Sequence, residues 1–429
     1  MSRLRAQNVS KSFGRKAEEA TRRLAAGATI EEIRKLGVTP AVVDASFEVD
    51  EGEIFVVMGL SGSGKSTLIR MLNGLLPPTS GHVEIDGTDI SGMRGKELRA
   101  IRQAKISMVF QHFALFPHCT VLTNAAYGLE VQGVPKDERE KKAKEFLRLV
   151  GLDGWEDKLP SQLSGGMQQR VGLARALAAE SDILLMDEAF SALDPLIRRE
   201  MQDLLVELQS RLNKTIVFIT HDLNEAMRIG DRIAVMREGR IVQIGTAEEI
   251  LMDPANDYVA QFVADVDRTR VLTASSVMER PLATVPPNGG PRAALRTMRE
   301  NQTSAAFVVG RDRRLIGAVR AEAVAEAVRK DITVLDGLID ADLEPVSPDT
   351  AVADLFTQSA ESPLPVPVTD EAGTLLGVIP RVTLLAALGA INGHVNTSSE
   401  PGSPGGPDGS REPEQPAEPE EGVTTSVDA

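Results

Sequence analysis

Apolar positions along the chain fall into short dense runs, separated by polar or glycine-rich stretches. Ile54-Phe-Val-Val-Met58, Ile183-Leu-Leu-Met186 and Ile216-Val-Phe-Ile-Thr220 carry almost nothing polar. Runs of that length predict strands of a parallel sheet buried on both faces. Leu4–Asn8 and Val42–Val49 alternate instead, as half-buried strands do. His82–Ile85, after the turn Pro77-Pro78-Thr-Ser-Gly81, and Ile106–Phe110 also read as strands, and Ile233–Met236 and Ile241–Ile244 read as a hairpin closed by Glu238-Gly239. The period lengthens to that of a helix over Lys65–Asn73 before Gly74, over Pro135–Val150 before Gly151, and over Ser164–Ala179. Between the two alternating strands, residues 15–40 have helical character. Glu18 and Glu19 precede Arg22 and Arg23, Gly27 ends that segment, Thr29-x-x-Glu32 fits a capping box, and Gly37 is a stop. The stretch is therefore expected to be a pair of short helices inserted between two strands.

A second pattern occupies residues 276–390, where a unit of about 60 residues occurs twice. Val285-Pro-Pro-Asn followed by Ala294-Leu295 matches Val346-Ser-Pro-Asp followed by Ala353-Asp-Leu355. Leu315-Ile-Gly-Ala-Val319 matches Leu375-Leu-Gly-Val-Ile379. Each copy reads as β-α-β-β-α. Beyond it, residues 396–429 are rich in Pro, Gly, Ser and Glu with little to bury, so the tail is expected to be disordered.

Charge changes the picture in two places. The chain of 429 residues carries a formal net charge of −15, but residues 1–40 hold nine Lys/Arg against four Glu, and residues 391–429 hold eight acids against Arg411. An acidic chain of this kind is not expected to bind nucleic acid generally. The single cysteine, Cys119, excludes a disulfide framework and points to a reducing cytosol. No apolar run approaches 18 residues, so the polypeptide is not expected to span a bilayer.

The candidate chemistry starts immediately after the first buried strand. Gly59-Leu-Ser61-Gly62-Ser63-Gly64-Lys65-Ser66-Thr67 fits G-x-x-x-x-G-K-[ST], and a helix follows. A strand, a glycine loop and a helix N-terminus place converging backbone N–H groups and a favourable dipole around an anion. Lys65 is then expected to reach the β- and γ-phosphates of a nucleotide and Ser66 to ligate Mg²⁺. The strand Ile183–Met186 ends in Asp187 and Glu188, which fit a carboxylate holding Mg²⁺ through water and a general base for the attacking water. Ser164-Gly165-Gly166 opens another helix and predicts a second anion site. One chain has no spare phosphate for it, so this site makes sense as a cap on the γ-phosphate held by a second copy.

With Leu163-Ser164-Gly165-Gly166-Met167-Gln168-Gln169-Arg170, the chain resembles the ATP-binding-cassette (ABC) ATPases over residues 1–265. This family often has Gln where Met167 stands. The resemblance implies further roles. Gln111 fits the glutamine that meets the metal and senses the membrane partner. Ser191-Ala-Leu-Asp194 fits the loop that reaches across a dimer. His221 fits the histidine on the γ-phosphate, and Phe13 fits the aromatic stacked on adenine. The implied fold is α/β, with a RecA-like core, an antiparallel β subdomain and a helical subdomain over about 97–180. It is followed by an α+β tandem.

A narrower resemblance covers residues 1–392. Met186-Asp-Glu-Ala-Phe-Ser-Ala-Leu-Asp-Pro-Leu-Ile-Arg198, the insertion at 15–40 and the tandem look like the ATPase subunit of glycine betaine/proline importers. In that family the two repeats, here 276–330 and 336–392, are CBS domains, and 393–429 would be the acidic tail. The resemblance implies an ATPase using ATP and Mg²⁺ and carrying a CBS pair expected to regulate it. Regulation by ionic strength is expected instead from the basic pairs Arg22-Arg23 and Arg34-Lys35 of the insertion, whose attraction to an anionic membrane surface salt would screen. The ATPase would act as a homodimer at the cytoplasmic face of the cell membrane, with two permease chains and an extracytoplasmic substrate-binding protein. A soluble regulatory ATPase with the CBS pair as its output is the alternative.

CBS pairs often bind adenine nucleotides through G-h-h-[ST]-x-x-D. Here the copies read Gly317-Ala-Val-Arg320-Ala-Glu-Ala323 and Gly377-Val-Ile-Pro380-Arg-Val-Thr383, so hydroxyl and Asp are both replaced. A nucleotide ligand in the common mode is therefore not expected. A cyclic dinucleotide meeting Arg320 or Arg381, or a dimerisation role, stays open.

Overall fold

The computed structural model describes residues 2–389 apart from His112, 265–268, Arg270 and Pro363. The acidic tail and the domain boundary at 265 lie outside the described residues.

The apolar runs assemble into one six-stranded sheet. In spatial order its strands are Arg240–Gly245, Arg232–Arg237, Ile54–Met58, Thr215–Thr220, Ile183–Asp187 and Ile106–Phe110. The first pair is antiparallel and the other neighbours are parallel. Because successive side chains point to opposite faces, each central strand feeds two cores. Val56, Met58, Leu184, Met186 and Phe218 pack on one side with helices that include Val121–Val131, Lys136–Leu149, Gly165–Ala178 and Pro195–Leu212. Phe55, Val57, Leu185, Val217 and Ile219 pack on the other, with the helix Lys65–Leu72 and a four-stranded antiparallel sheet. That sheet runs Thr39–Asp50, Ser2–Phe13, Ser80–Ile85, Thr88–Asp89. Both of its long strands extend beyond the alternating runs, so Phe13 ends a strand opposite Thr39. Ile106–Phe110 belongs to the main sheet, so a helical block counted from about 97 includes one strand of the core.

The insertion forms the two expected helices, Ala17–Ala25 and Ile30–Lys35. The Thr29 hydroxyl accepts from the Glu32 N–H at 3.2 Å, and Glu32 accepts from the Thr29 N–H at 2.9 Å. Ala20, Leu24 and Ile33 close a small core with Val38 and Val43, while Arg22, Arg23, Arg34 and Lys35 stay exposed.

The tandem differs from two units laid end to end. Copy one is Thr284–Val285, Pro291–Glu300, Ala305–Val309, Leu315–Arg320 and Ala321–Arg329. Copy two is Val352–Glu361, Val366–Thr369, Leu375–Ile379 and Arg381–Gly389, with Val346 bridging Val368 in place of a full first strand. The segment before each copy packs on the other one. Leu272, Ala274 and Met278 join the core of copy two, and Leu335, Leu338 and Ile339 join that of copy one. Backbone bridges Glu279–Val378 and Ala318–Asp340 hold this exchange.

Candidate functional site

The strand Ile54–Met58 ends at Gly59, where the chain turns through a loop that only glycine can make. Gly59 has φ +151°, and a Cβ there would lie 2.2 Å from the Met236 carbonyl oxygen. Gly64 has φ +103°, and its Cβ would lie 2.1 Å from the Ala41 carbonyl oxygen. L side chains are excluded at both on sterics and on conformation. Gly64 is the N-cap of Lys65–Leu72 and offers no side-chain cap, so the first N–H groups of that helix point into the loop. Ser61 and Gly62 are exposed, Thr67 is half-buried, and the Ser63 hydroxyl is buried with no partner.

Lys65 is buried, and its ammonium donates to the Gly59 carbonyl at 2.8 Å and the Leu60 carbonyl at 3.2 Å. Burial holds its pKa below the usual lysine value, while Glu188, at 3.9 Å, and Asp187 pull the other way. The Ser66 hydroxyl donates to Asp187 Oδ1 at 3.1 Å. Burial raises the Asp187 pKa above its ordinary value, and the Ser66 bond works against that rise. Glu188 follows on a left-handed backbone at φ +47°, fixed by its N–H donating to the Ile219 carbonyl at 3.0 Å. Glu188 Oε2 lies 3.3 Å from His221 Nδ1. The neighbouring parallel strands thus bring Lys65, Ser66, Asp187, Glu188 and His221 to one edge.

Gln111 joins through an intermediary. Its Nε2 donates to the Ser191 hydroxyl at 3.2 Å, and that hydroxyl donates to the Glu188 carbonyl at 2.8 Å. The remaining expected residues lie elsewhere. Ser164 caps Gly165–Ala178 by accepting from the Met167 N–H at 3.3 Å. Asp194 caps Pro195–Leu212 by accepting from the Ile197 N–H at 3.1 Å. Among the described residues, no hydrogen bond or ion pair joins Ser164, Gly165, Gly166 or Asp194 to the Lys65–His221 cluster. Phe13 is 42% exposed, with the Lys11 ammonium 5.6 Å from its ring centre.

Arg175 was not legible as part of this region. It donates to the carbonyls of Ala114 at 2.7 Å and Phe113 at 3.0 Å, two residues on left-handed backbone just after Gln111. Burial lowers its pKa from the usual arginine value. Nothing in its spacing marks it, because a mid-helix arginine ordinarily faces water.

The residues fit a nucleotide and its divalent cation. The unpartnered Ser63 hydroxyl, the uncapped helix start and a buried ammonium hydrogen-bonded to its own loop are donors suited to phosphate. Ser66 and the half-buried Asp187 present adjacent hard oxygens. Among the described residues no three His, Cys, Asp or Glu gather as a closed cage. One carboxylate completed by phosphate oxygens and water is how Mg²⁺ is commonly held.

Comparison with known proteins agrees with this geometry. The ABC transporter profile matches residues 42–191, and the CBS domain profile matches residues 274–330. The glycine betaine/carnitine transport ATP-binding protein GbuA of Listeria monocytogenes is 53% identical over 397 residues, spanning 92% of this chain and 100% of that protein. The glycine betaine transport ATP-binding protein OpuAA of Bacillus subtilis is 51% identical, over 92% of this chain and 94% of its own length. The glycine betaine/proline betaine transport system ATP-binding protein ProV of Escherichia coli is 48% identical, over 90% of this chain and 97% of its own length.

Proposed function

The chain belongs to the ATP-binding subunits of ABC transporters, on the glycine betaine importer branch, and on that premise we propose that it hydrolyses ATP to energise uptake of glycine betaine, proline or a related quaternary amine through partner permease chains. The observation that carries this reading is the cluster in which Ser66 bonds Asp187 while Lys65 and His221 flank Glu188. In it, Gly59, Ser61, Gly62, Ser63, Gly64, Lys65, Ser66 and Thr67 hold the phosphates of ATP, and Phe13 stacks on the adenine. Ser66, Gln111 and Asp187 hold Mg²⁺, which when bound neutralises phosphate charge. Glu188 takes the proton of the attacking water, and His221 steadies Glu188 and faces the γ-phosphate. Ser164, Gly165, Gly166 and Asp194, which among the described residues make no hydrogen bond or ion pair to this cluster, act on the nucleotide of a second copy. That two helix N-termini of one chain offer anion sites while one nucleotide binds per phosphate loop supports a homodimer.

No helix among the described residues is long and apolar enough to cross a membrane. The relatives named above are transport ATP-binding proteins. They favour coupling to two permease chains and an extracytoplasmic substrate-binding protein, with this subunit at the cytoplasmic face of the membrane, over a free-standing regulatory ATPase. The test is uptake of labelled glycine betaine, proline and choline by cells carrying the parent gene, a deletion, or Glu188→Gln. Uptake of one of these solutes should depend on the gene and be lost in Glu188→Gln. Equal uptake in all three strains would overturn the reading.

A further inference from the structure

Arg198 lies one turn beyond Asp194 on the helix Pro195–Leu212, with its side chain mostly covered. Its guanidinium makes four polar contacts. Nε donates to the Phe190 carbonyl at 3.2 Å, and Nη2 donates to the Ser191 carbonyl at 3.3 Å and the Leu193 carbonyl at 3.0 Å. Nη1 donates to Asp222 Oδ2 at 3.3 Å. The three carbonyls belong to the loop that follows Glu188, and Asp222 follows His221. Both ends of this bridge are themselves anchored. The Ser191 hydroxyl sits between Gln111 and the Glu188 carbonyl. Asp222 accepts from the N–H groups of Asn224 at 2.9 Å and Glu225 at 3.2 Å, and its own N–H donates to the Thr220 hydroxyl at 2.9 Å.

We propose that Arg198 is a positioning residue for ATP hydrolysis: one planar fork ties the loop after Glu188 to the residue after His221, and so fixes the 3.3 Å register between the Glu188 carboxylate and the His221 ring. The planarity is what matters. A guanidinium presents its donors in fixed directions and meets four acceptors at once, whereas a lysine ammonium is a point charge with three donors on a flexible stem. The contacts of Arg198 are the carbonyls of Phe190, Ser191 and Leu193 and the Asp222 carboxylate, none of which belongs to the phosphate loop. Its loss should therefore misplace the base and the histidine while leaving nucleotide affinity alone. The guanidinium also borders a cavity of about 550 Å³ lined by Arg199, Gln202, Glu225 and Val271 among others. Water can enter there and satisfy carbonyls that lose their donor, so a substitution at this position need not unfold the chain.

The inference rests on the ATPase reading of the site. Turnover by the parent chain tests that reading, and the ratio of variant to parent tests this one. In the purified full chain, Arg198→Lys should lower kcat by roughly 10²-fold, the scale of a small misplacement of reacting groups, with the dissociation constant for a fluorescent ATP analogue within about twofold of the parent. Asp222→Asn keeps a competent helix cap, since Asn caps as well as Asp, but loses the charge on Arg198. It should lower kcat in the same sense, and the double variant should be no slower than Arg198→Lys alone. Parental kcat in Arg198→Lys would overturn the proposal. So would a loss of nucleotide affinity in step with kcat, or losses that multiply in the double variant. Should Arg198→Lys fail to fold, Asp222→Asn decides the matter, and parental kcat there overturns the proposal.

Discussion

Glu188 occupies a backbone conformation that a glutamate adopts at some cost, and it is pinned there from two sides, by the Ile219 carbonyl and by Ser191. Strain held in place at one side chain is consistent with a demanding position. Glu188→Gln keeps the shape and loses the base, so ATP should still bind while turnover falls roughly 10²–10⁴-fold. Lys65→Ala should instead weaken nucleotide binding itself. Equilibrium binding and steady-state turnover measured on both variants separate the two roles. Glu225 makes a prediction about stability. It is buried, and the Gln202 amide donates to it at 3.1 Å; burial raises its pKa from the ordinary carboxylate value, with bonds from Thr220 and Gln202 working against the rise. A carboxyl whose folded pKa lies above its unfolded one contributes stability that is full below the unfolded pKa and is lost as pH rises through the folded one. Glu225→Gln removes that dependence. Thermal melts should show the variant above the parent at pH 8 and the two converging near about pH 4. A constant difference across that range would contradict it. At this scale the phosphate loop, Asp187 and Glu188 are legible because each follows an apolar strand, and His221 is legible only through the family resemblance. Arg175, Arg198 and Glu225 are not, because their partners lie on other elements.

Elements were legible where a local signal ended them. The capping box Thr29–Glu32 and the stop at Gly37 put two helices inside the insertion, and the wholly buried strands followed from their lack of alternation. The helices Val121–Val131 and Pro195–Leu212 do not appear among the elements the pattern predicts, although Thr120 and Asp194 cap them. Val121–Val131 is apolar along nearly its whole length and carries no clean polar face, whereas Pro195–Leu212 is as amphipathic as Lys136–Leu149, with Met201, Leu205 and Leu208 buried on one face. The insertion supports a prediction of its own. Arg22, Arg34 and Lys35 are exposed, and Arg23 is held by Glu19 across one turn. A basic residue close to an anionic membrane surface gains about 1 kcal/mol, and that attraction is screened as the Debye length shrinks from about 8 Å near 0.15 M salt to about 3 Å at 1 M. We expect the insertion to restrain the ATPase at low ionic strength and release it at high. Replacing Arg22, Arg23, Arg34 and Lys35 with Gln should shift the activation midpoint of uptake in vesicles to lower salt, and the shift should grow with the anionic-lipid fraction. An unchanged midpoint would leave the insertion with another role.

The whole molecule shows what a linear reading misses. The repeat was visible because its two copies share a register, but the exchange of their leading segments was not. Leu272 and Leu335 are ordinary apolar residues, and only tertiary packing assigns each to the opposite copy. The exchange also bears on what the pair can bind. It brings Asp340, on the segment ahead of copy two, to Arg320, at 3.2 Å, and Glu279, on the segment ahead of copy one, to the Thr383 hydroxyl, which donates to it at 2.6 Å. Arg320 stands where the adenosine-binding pattern has a hydroxyl, and Thr383 stands where it has Asp. Each is already engaged by a carboxylate. A ribose placed there would lack its usual acceptor, and a phosphate at Arg320 would compete with Asp340 for the guanidinium. We therefore predict that AMP does not bind this pair in the common mode. The measurement is calorimetric titration of AMP into the full chain carrying Lys65→Ala, which weakens the competing site. No heat of binding is expected up to about 1 mM, where an interaction would still be worth roughly 4 kcal/mol. Micromolar binding that disappears in Asp340→Ala or Thr383→Ala would place the nucleotide in this cleft after all and refute the prediction.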